Sequence, residues 1–305
     1  GPGNDRLDGG DGSDRYVFNP GDGIDVISDS GSQGTDTLAF GAGIDPESLS
    51  LDTGSLLIRI GASGDAVHVD GFDADDAGTG GAIERFEFAD GTVLSHAQLV
   101  GRGFDLYGTD GDDTAFGTNL VDRFHESAGD DTLIGGVGHD IYYFDMGSEH
   151  DYVVDLDTVP DNFDTVVLGN GIAPENLAVQ SSPGMLTLAV SGANDRLDIQ
   201  GQPQVGYAIE RVQFADGTIW DSALLESRAV PAAQADAGAA ATESGDAPPA
   251  DTGTAEAGAG TPAEPAPIQI GSGSTSPSDA GPTDAGVGAQ TGGETIPVAN
   301  AGAPP

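Results

Sequence analysis

Two hydrophobic rhythms run along residues 1–226. In the first, an apolar residue recurs every nine positions: Leu7, Tyr16 and, after a two-residue slip, Ile27; then Ala115, Phe124, Leu133, Tyr142 and, after a second slip of two, Val153. Glycine and aspartate dominate the residues between, so each unit predicts a short strand and a tight turn that uses glycine's positive φ angles. Two units make one turn of a flattened coil, with apolar side chains entering from alternate faces. The second rhythm has period two. Leu56, Ile58 and Ile60 alternate with Leu57 and Arg59, then Val67 and Val69 with His68 and Asp70, and the same pattern returns through Leu186, Leu188, Val190, Leu197 and Ile199. These are hairpin strands with one buried face. Phe86 with Phe88, and Val212 with Phe214, continue the alternation into Ala-Asp-Gly-Thr turns, and 44–49 (IDPESL) and 172–177 (IAPENL) predict one-turn helices with proline near the start. The strands are placed to cap the open end of the coil, whose free edge would otherwise invite aggregation. From Ala229 neither rhythm continues.

The nine-residue units share a chemistry as well as a spacing. Residues 9–17 (GGDGSDRYV) and 135–143 (GGVGHDIYY) both read Gly-Gly-x-Gly-x-Asp-x-apolar-x, and stepping back from 135 gives 126–134, 117–125 and 108–116, each with aspartate sixth. A fifth unit, 146–154, and in the first copy 1–8 and 20–28, complete two arrays, the first read as starting inside a longer one. Isolated Asp-Gly pairs ordinarily mark solvated turns. Four units in unbroken register outweigh that reading. Stacked loops offer the several oxygens, at roughly 2.3 to 2.6 Å, that Ca²⁺ prefers, whereas Mg²⁺ demands stricter octahedral geometry. The sixth-position carboxylates Asp5, Asp14, Asp25, Asp113, Asp122, Asp131, Asp140 and Asp151 are the candidate ligands. Loop carbonyls exposed by Gly10, Gly12, Gly21, Gly23, Gly129, Gly136 and Gly138 complete the set. Asp131, flanked by Asp113 and Asp151 in the stacking order, is the first choice; the units 117–125 and 146–154, with altered loops, are expected to hold ions weakly.

Charge sharpens this picture. There are 51 acidic residues against nine basic ones, all arginine, for a formal net charge of −42. Calcium would relieve that repulsion, while nucleic acid and anionic lipid, which call for basic surfaces, are excluded as partners. No apolar run approaches a membrane span, no signal peptide opens the sequence, and the absence of cysteine leaves metal ions as the available staples.

The whole arrangement is duplicated. Residues 82–92 (AIERFEFADGT) and 208–218 (AIERVQFADGT) agree at nine of eleven positions, at the 126-residue offset that also separates the two intact nonapeptides. Three divisions follow: 1–100 and 101–228, each an array with its capping strands, and 229–305, an Ala/Gly/Pro/Ser-rich acidic tail that cannot bury a core and is expected to be disordered. The nonapeptides, the GTDTL segment, the Pro-Glu turn and IERxxFADGT resemble the haemolysin-type calcium-binding family, in which RTX arrays join a calcium-binding protein related domain. The resemblance implies an all-β fold of parallel β-roll segments capped by antiparallel strands, several Ca²⁺ ions, one-step secretion from a Gram-negative bacterium, and folding on meeting external calcium. Haemolysins, proteases, lipases, epimerases and large adhesins carry such arrays.

Zinc-helix, nucleophile-elbow, Walker and cysteine motifs are absent, so the chain is read as non-catalytic. The expected role is a calcium-folded structural or adhesive segment of a secreted or cell-surface protein. The alternatives are the calcium-binding appendage of an RTX enzyme and a carbohydrate-binding module, its sugar platforms drawn from Tyr107, Tyr142, Tyr143, Tyr152 and Trp220, with a cell-surface or polysaccharide ligand. The histidines, His68, His96, His125, His139 and His150, are read as solvent-facing.

Overall fold

A computed structural model describes residues 1–29, 33–125, 127–155, 162–202 and 209–232, all within one compact unit. The expected tail lies outside the described residues except at its first four positions, and there it is ordered: Val230–Pro231 pairs as a strand with Leu177–Ser182.

The nine-residue rhythm builds two facing parallel sheets in each copy. In the second copy, Phe104–Tyr107, Asp122–His125, Ile141–Phe144, Thr165–Leu168 and Arg211–Gln213 form one sheet, while Thr114–Phe116, Thr132–Ile134, His150–Val154 and Arg196–Gln202 form the other. Alternate units therefore pair, as the two-units-per-turn coil requires, with Ala115 opposite Leu133 and Leu133 opposite Val153. The same register stacks Leu106, Phe124, Tyr142, Val166 and Val212 into one inward column, whose members are 5% exposed or less. In the first copy Arg6–Leu7, Ile24–Ile27 and Asp65–Val69 face Arg15–Phe18, Thr37–Phe40 and Arg85–Glu87.

The capping hairpins do not merely cover the coil. Asp65–Val69 and Arg196–Gln202 join the roll in parallel, and their hairpin partners Leu56–Ile60 and Gly184–Val190 extend the same sheets antiparallel. The sheet edge is thus continued and not blocked. The segment at 46–48 is a 3-10 turn, as expected from IDPESL, whereas its counterpart IAPENL forms only hydrogen-bonded turns. The first copy gains a serine at the last position, where Ser48 Oγ donates to the Asp45 carbonyl; the second has Asn176 there.

The two copies touch. Phe72 packs on Phe104 with ring centroids 5.5 Å apart, the Asn119 side chain accepts from the Ala77 amide at 3.0 Å, and Arg102 reaches Glu47.

Candidate metal centre

In-register stacking sets a carboxylate of one loop over the backbone amide of the loop beneath. The amides of Asp113, Asp122 and Asp131 donate to Oδ1 of Asp131, Asp140 and Asp151 at 2.8, 2.9 and 3.1 Å. Asp5 donates likewise to Asp25 at 3.0 Å. All eight sequence-designated aspartates lie on these two edges of the roll. The ladder also runs further than the nonapeptides. Asp14 and Asp140 donate to Asp36 and Asp164, both at 2.7 Å, and the amides of those two donate in turn to Glu84 and Glu210 at 2.7 Å. On the opposite edge the amides of Gly21 and Gly23 donate to Asp65, and that of Glu149 to Asp195.

These six acidic residues were not designated from the sequence, yet a signal for them exists. Each heads an acidic-x-apolar triplet, as in Asp36-Thr37-Leu38, Glu84-Arg85-Phe86 and Asp195-Arg196-Leu197, which is the second half of the nonapeptide without its glycines. The glutamate of the Ile-Glu-Arg motif is therefore the last rung of the carboxylate ladder.

Glycine is demanded where the loops approach each other most closely. A Cβ on Gly138 would lie 1.8 Å from the Leu120 carbonyl oxygen, and Gly136 combines a φ of 95° with a Cβ position 2.6 Å from the Thr118 carbonyl. Glu149 occupies the fourth-position slot of its unit with a φ of 65°, the one non-glycine described residue in the left-handed region. Glu149→Gly should therefore raise stability by about 1 kcal/mol, read as a higher urea midpoint in calcium, because an L-residue there is strained.

The rungs divide into two kinds. Asp113 accepts from the Thr109 amide and hydroxyl at 2.6 and 2.8 Å, and Asp122 from those of Thr118 at 2.6 and 3.1 Å. Asp14, Asp131, Asp140 and Asp151 each bury an Oδ2 that has no hydrogen-bond partner. The difference lies at the second position of each unit, threonine in the closed rungs and glycine or Ser127 in the open ones. Electrostatics follow the same division. The Thr109 hydrogen bonds hold the Asp113 carboxyl below its ordinary range. Burial, then the charge of Asp122, pushes Asp140 up to about 9, and burial pushes Asp151 up to about 7. Asp122 rises to about 6, burial outweighing its bonds to Thr118.

Unpaired buried carboxylate oxygens are costly unless a cation meets them. Four such atoms on stacked, glycine-opened loops fit a hard divalent cation that takes oxygen ligands. Asp198 shows the contrast: it is 2% exposed but paired with Arg196, His150 and Thr187, so it lacks nothing.

Several side chains lie elsewhere than expected. His96 is buried, its Nε2 2.9 Å from the Ala77 carbonyl, because it opens a short helix over the end of the first roll. His125 is sandwiched between Tyr107 and Tyr143 at centroid distances of 4.5 and 4.6 Å. Trp220 is 2% exposed beneath Arg228, which removes it as a sugar platform, and Tyr142 is fully buried, in the inward position that its place in the nonapeptide predicts.

The fold and the edges together define a parallel β-roll whose loops carry carboxylates open to cations. The model of the haemolysin-type calcium binding protein related domain matches residues 56–98 and 186–223, one stretch in each copy, each spanning a capping hairpin and the strand–turn–strand after it. Calcium is the ion that this family implies. No curated protein matches the chain. Among solved structures it is similar to the extracellular lipase LipA from Serratia marcescens, at 14% identity over 65% of this chain and 37% of that one, with a TM-score of 0.24. The chain thus spans little more than a third of that structure's length, and a likeness so distant says nothing of lipase activity.

Proposed function

We propose that this chain is a calcium-folded structural or adhesive segment of a large secreted bacterial protein, built from two array-plus-cap modules. The observation that carries the reading is the set of buried, unpartnered Oδ2 atoms on Asp14, Asp131, Asp140 and Asp151. These four rungs hold ions together with carbonyls of the adjoining loops, while Thr109 and Thr118 take the place of an ion at Asp113 and Asp122. An ion affinity on the order of 10⁻⁴ to 10⁻³ M, usual for extracellular modules, leaves the chain unfolded in the cytosol and folded outside. Secretion before folding follows from the same switch.

The test is a calcium titration followed by far-ultraviolet circular dichroism. The spectrum should change from coil-like in chelator to β-rich in millimolar calcium, and Asp131→Ala should raise the midpoint about tenfold with a shallower transition. Asp113→Ala, on a closed rung, should leave the slope intact. An unchanged spectrum between chelator and calcium would end the proposal, and equal effects of the two substitutions would end the division of the rungs.

A further inference from the structure

Each copy brings three aspartates from separate segments to one point. Asp140 is the sixth residue of the intact nonapeptide, Asp155 follows the strand His150–Val154, and Asp164 precedes the strand Thr165–Leu168. One oxygen from each lies within 4.8 Å of the others, and all three residues are buried. Asp14, Asp29 and Asp36 repeat the cluster in the first copy, and among the described residues no third group of this kind exists. Clustered carboxylates alone say little, but two further observations single these out. The Asp140 Oδ2 atom is buried without a partner. Gly135, with no left-handed φ to explain its identity, leaves a space that a Cβ would fill at 2.0 Å from the Tyr142 hydroxyl, 2.7 Å from Asp140 Oδ2 and 3.0 Å from Asp155 Oδ2. A glycine here preserves an oxygen-lined cradle. The Tyr142 hydroxyl donates to Asp155 at 2.8 Å, and Tyr16 donates to Asp29 in the same way, so a phenol fixes one carboxylate of each cluster.

We infer that Asp140, Asp155 and Asp164, and likewise Asp14, Asp29 and Asp36, form seam sites that bind calcium more tightly than the rungs at Asp131 and Asp151 and lock each capping domain to its array. The inference rests on the reading that calcium fills this roll, and deepens it by ranking the sites. Three carboxylates around one ion give a higher ligand charge than a single rung carboxylate with neutral carbonyls, and affinity in oxygen-ligand sites rises with that count. The ion bridges the last full nonapeptide, the exit of the next strand and the first coil of the cap, so the seam fills first and orders the roll from its capped end. Tyr16 and Tyr142 are positioning residues: they touch the carboxylates and not the ion.

Terbium, a trivalent stand-in for calcium that emits when a nearby tyrosine is excited, reports on these sites directly. With the full chain, the first terbium equivalents should give tyrosine-sensitised emission. The Tyr16→Phe/Tyr142→Phe double variant should lose most of it and weaken the tightest calcium step about tenfold, as outer-shell changes do. The Asp36→Asn/Asp164→Asn double variant should weaken that step on the order of a hundredfold in calorimetry, and Asp131→Asn should spare it. Should the aspartate variants fail to fold, Gly9→Ala/Gly135→Ala, which changes no ligand, must still abolish early emission. Early emission that survives the tyrosine or glycine substitutions, or a tightest step lost in Asp131→Asn and kept in Asp36→Asn/Asp164→Asn, overturns the seam sites. A chain that answers neither calcium nor terbium would instead overturn the calcium reading as a whole.

Discussion

In chelator, the circular dichroism signal of the chain should pass from β-rich near pH 5 to coil-like as pH rises toward 9, and in calcium the fold should instead gain stability with rising pH. Burial raises the carboxyls of Asp122, Asp151 and Asp140 to about 6, 7 and 9 from an ordinary value of 3.8. The folded, ion-free form therefore keeps protons that the unfolded chain releases. The stability tied to those protons is complete below about pH 4 and is lost as pH climbs through the three raised values. Each pH unit of displacement corresponds to about 1.4 kcal/mol, so the combined loss is several kcal/mol, enough to unfold a marginal domain. Calcium inverts the sign because it binds the deprotonated groups: its midpoint should fall with rising pH over the same window, and binding should release protons. Calorimetry in two buffers of different ionisation heat measures that release. Asp140→Asn should flatten most of the chelator slope. A chelator signal that stays level between pH 5 and 9 would remove buried carboxylates as the origin of the calcium requirement.

The parts of this architecture that were legible in the sequence are those set by repetition. Nine-residue steps placed Phe124, Leu133, Tyr142 and Val153 inward and Asp131 and Asp140 on the loop edge, because in-register parallel stacking makes position in the unit equivalent to position in space. The capping hairpins were legible from their period of two. What escaped was the continuation of the ladder into Asp36, Asp65, Glu84 and their counterparts. There the glycine-rich half of the unit is replaced by sequence of other composition and length, and only the acidic-x-apolar half remains. Asp29 and Asp155 escaped for a different reason: they lie after a strand, outside the six-residue loop, and come to the seam only through the fold. The division between closed and open rungs was written at the second position of each unit. It could be read only once Thr109 and Thr118 were seen donating to the carboxylates four residues on. His96 was misplaced because a five-residue helix with a Ser95–Gln98 capping box turns its imidazole under the roll, a tertiary effect that hydropathy does not signal.

Phe124→Ala should cost about 3 to 5 kcal/mol in calcium, the range for deleting a large aromatic from a close-packed core. The ring is fully buried, stacks near-parallel on Tyr142 at 5.0 Å, and sits between Leu106 and Tyr142 in the Leu106–Val212 column, where neighbours held by sheet hydrogen bonds cannot collapse into the space. The form of the loss distinguishes a metal-folded roll from an ordinary domain. At 1.4 kcal/mol per decade, a loss of about 4 kcal/mol is close to a thousandfold in the folding equilibrium. Ion binding and folding are one process here, so that deficit is spread over every ion taken up. The calcium midpoint should therefore rise only about tenfold, with the β-rich endpoint still reached at saturating calcium. Phe124 touches no ligand, so a shift in calcium midpoint from this substitution reports the coupling itself. An unchanged calcium midpoint accompanied by a lower thermal midpoint would mean that the core folds without the ion.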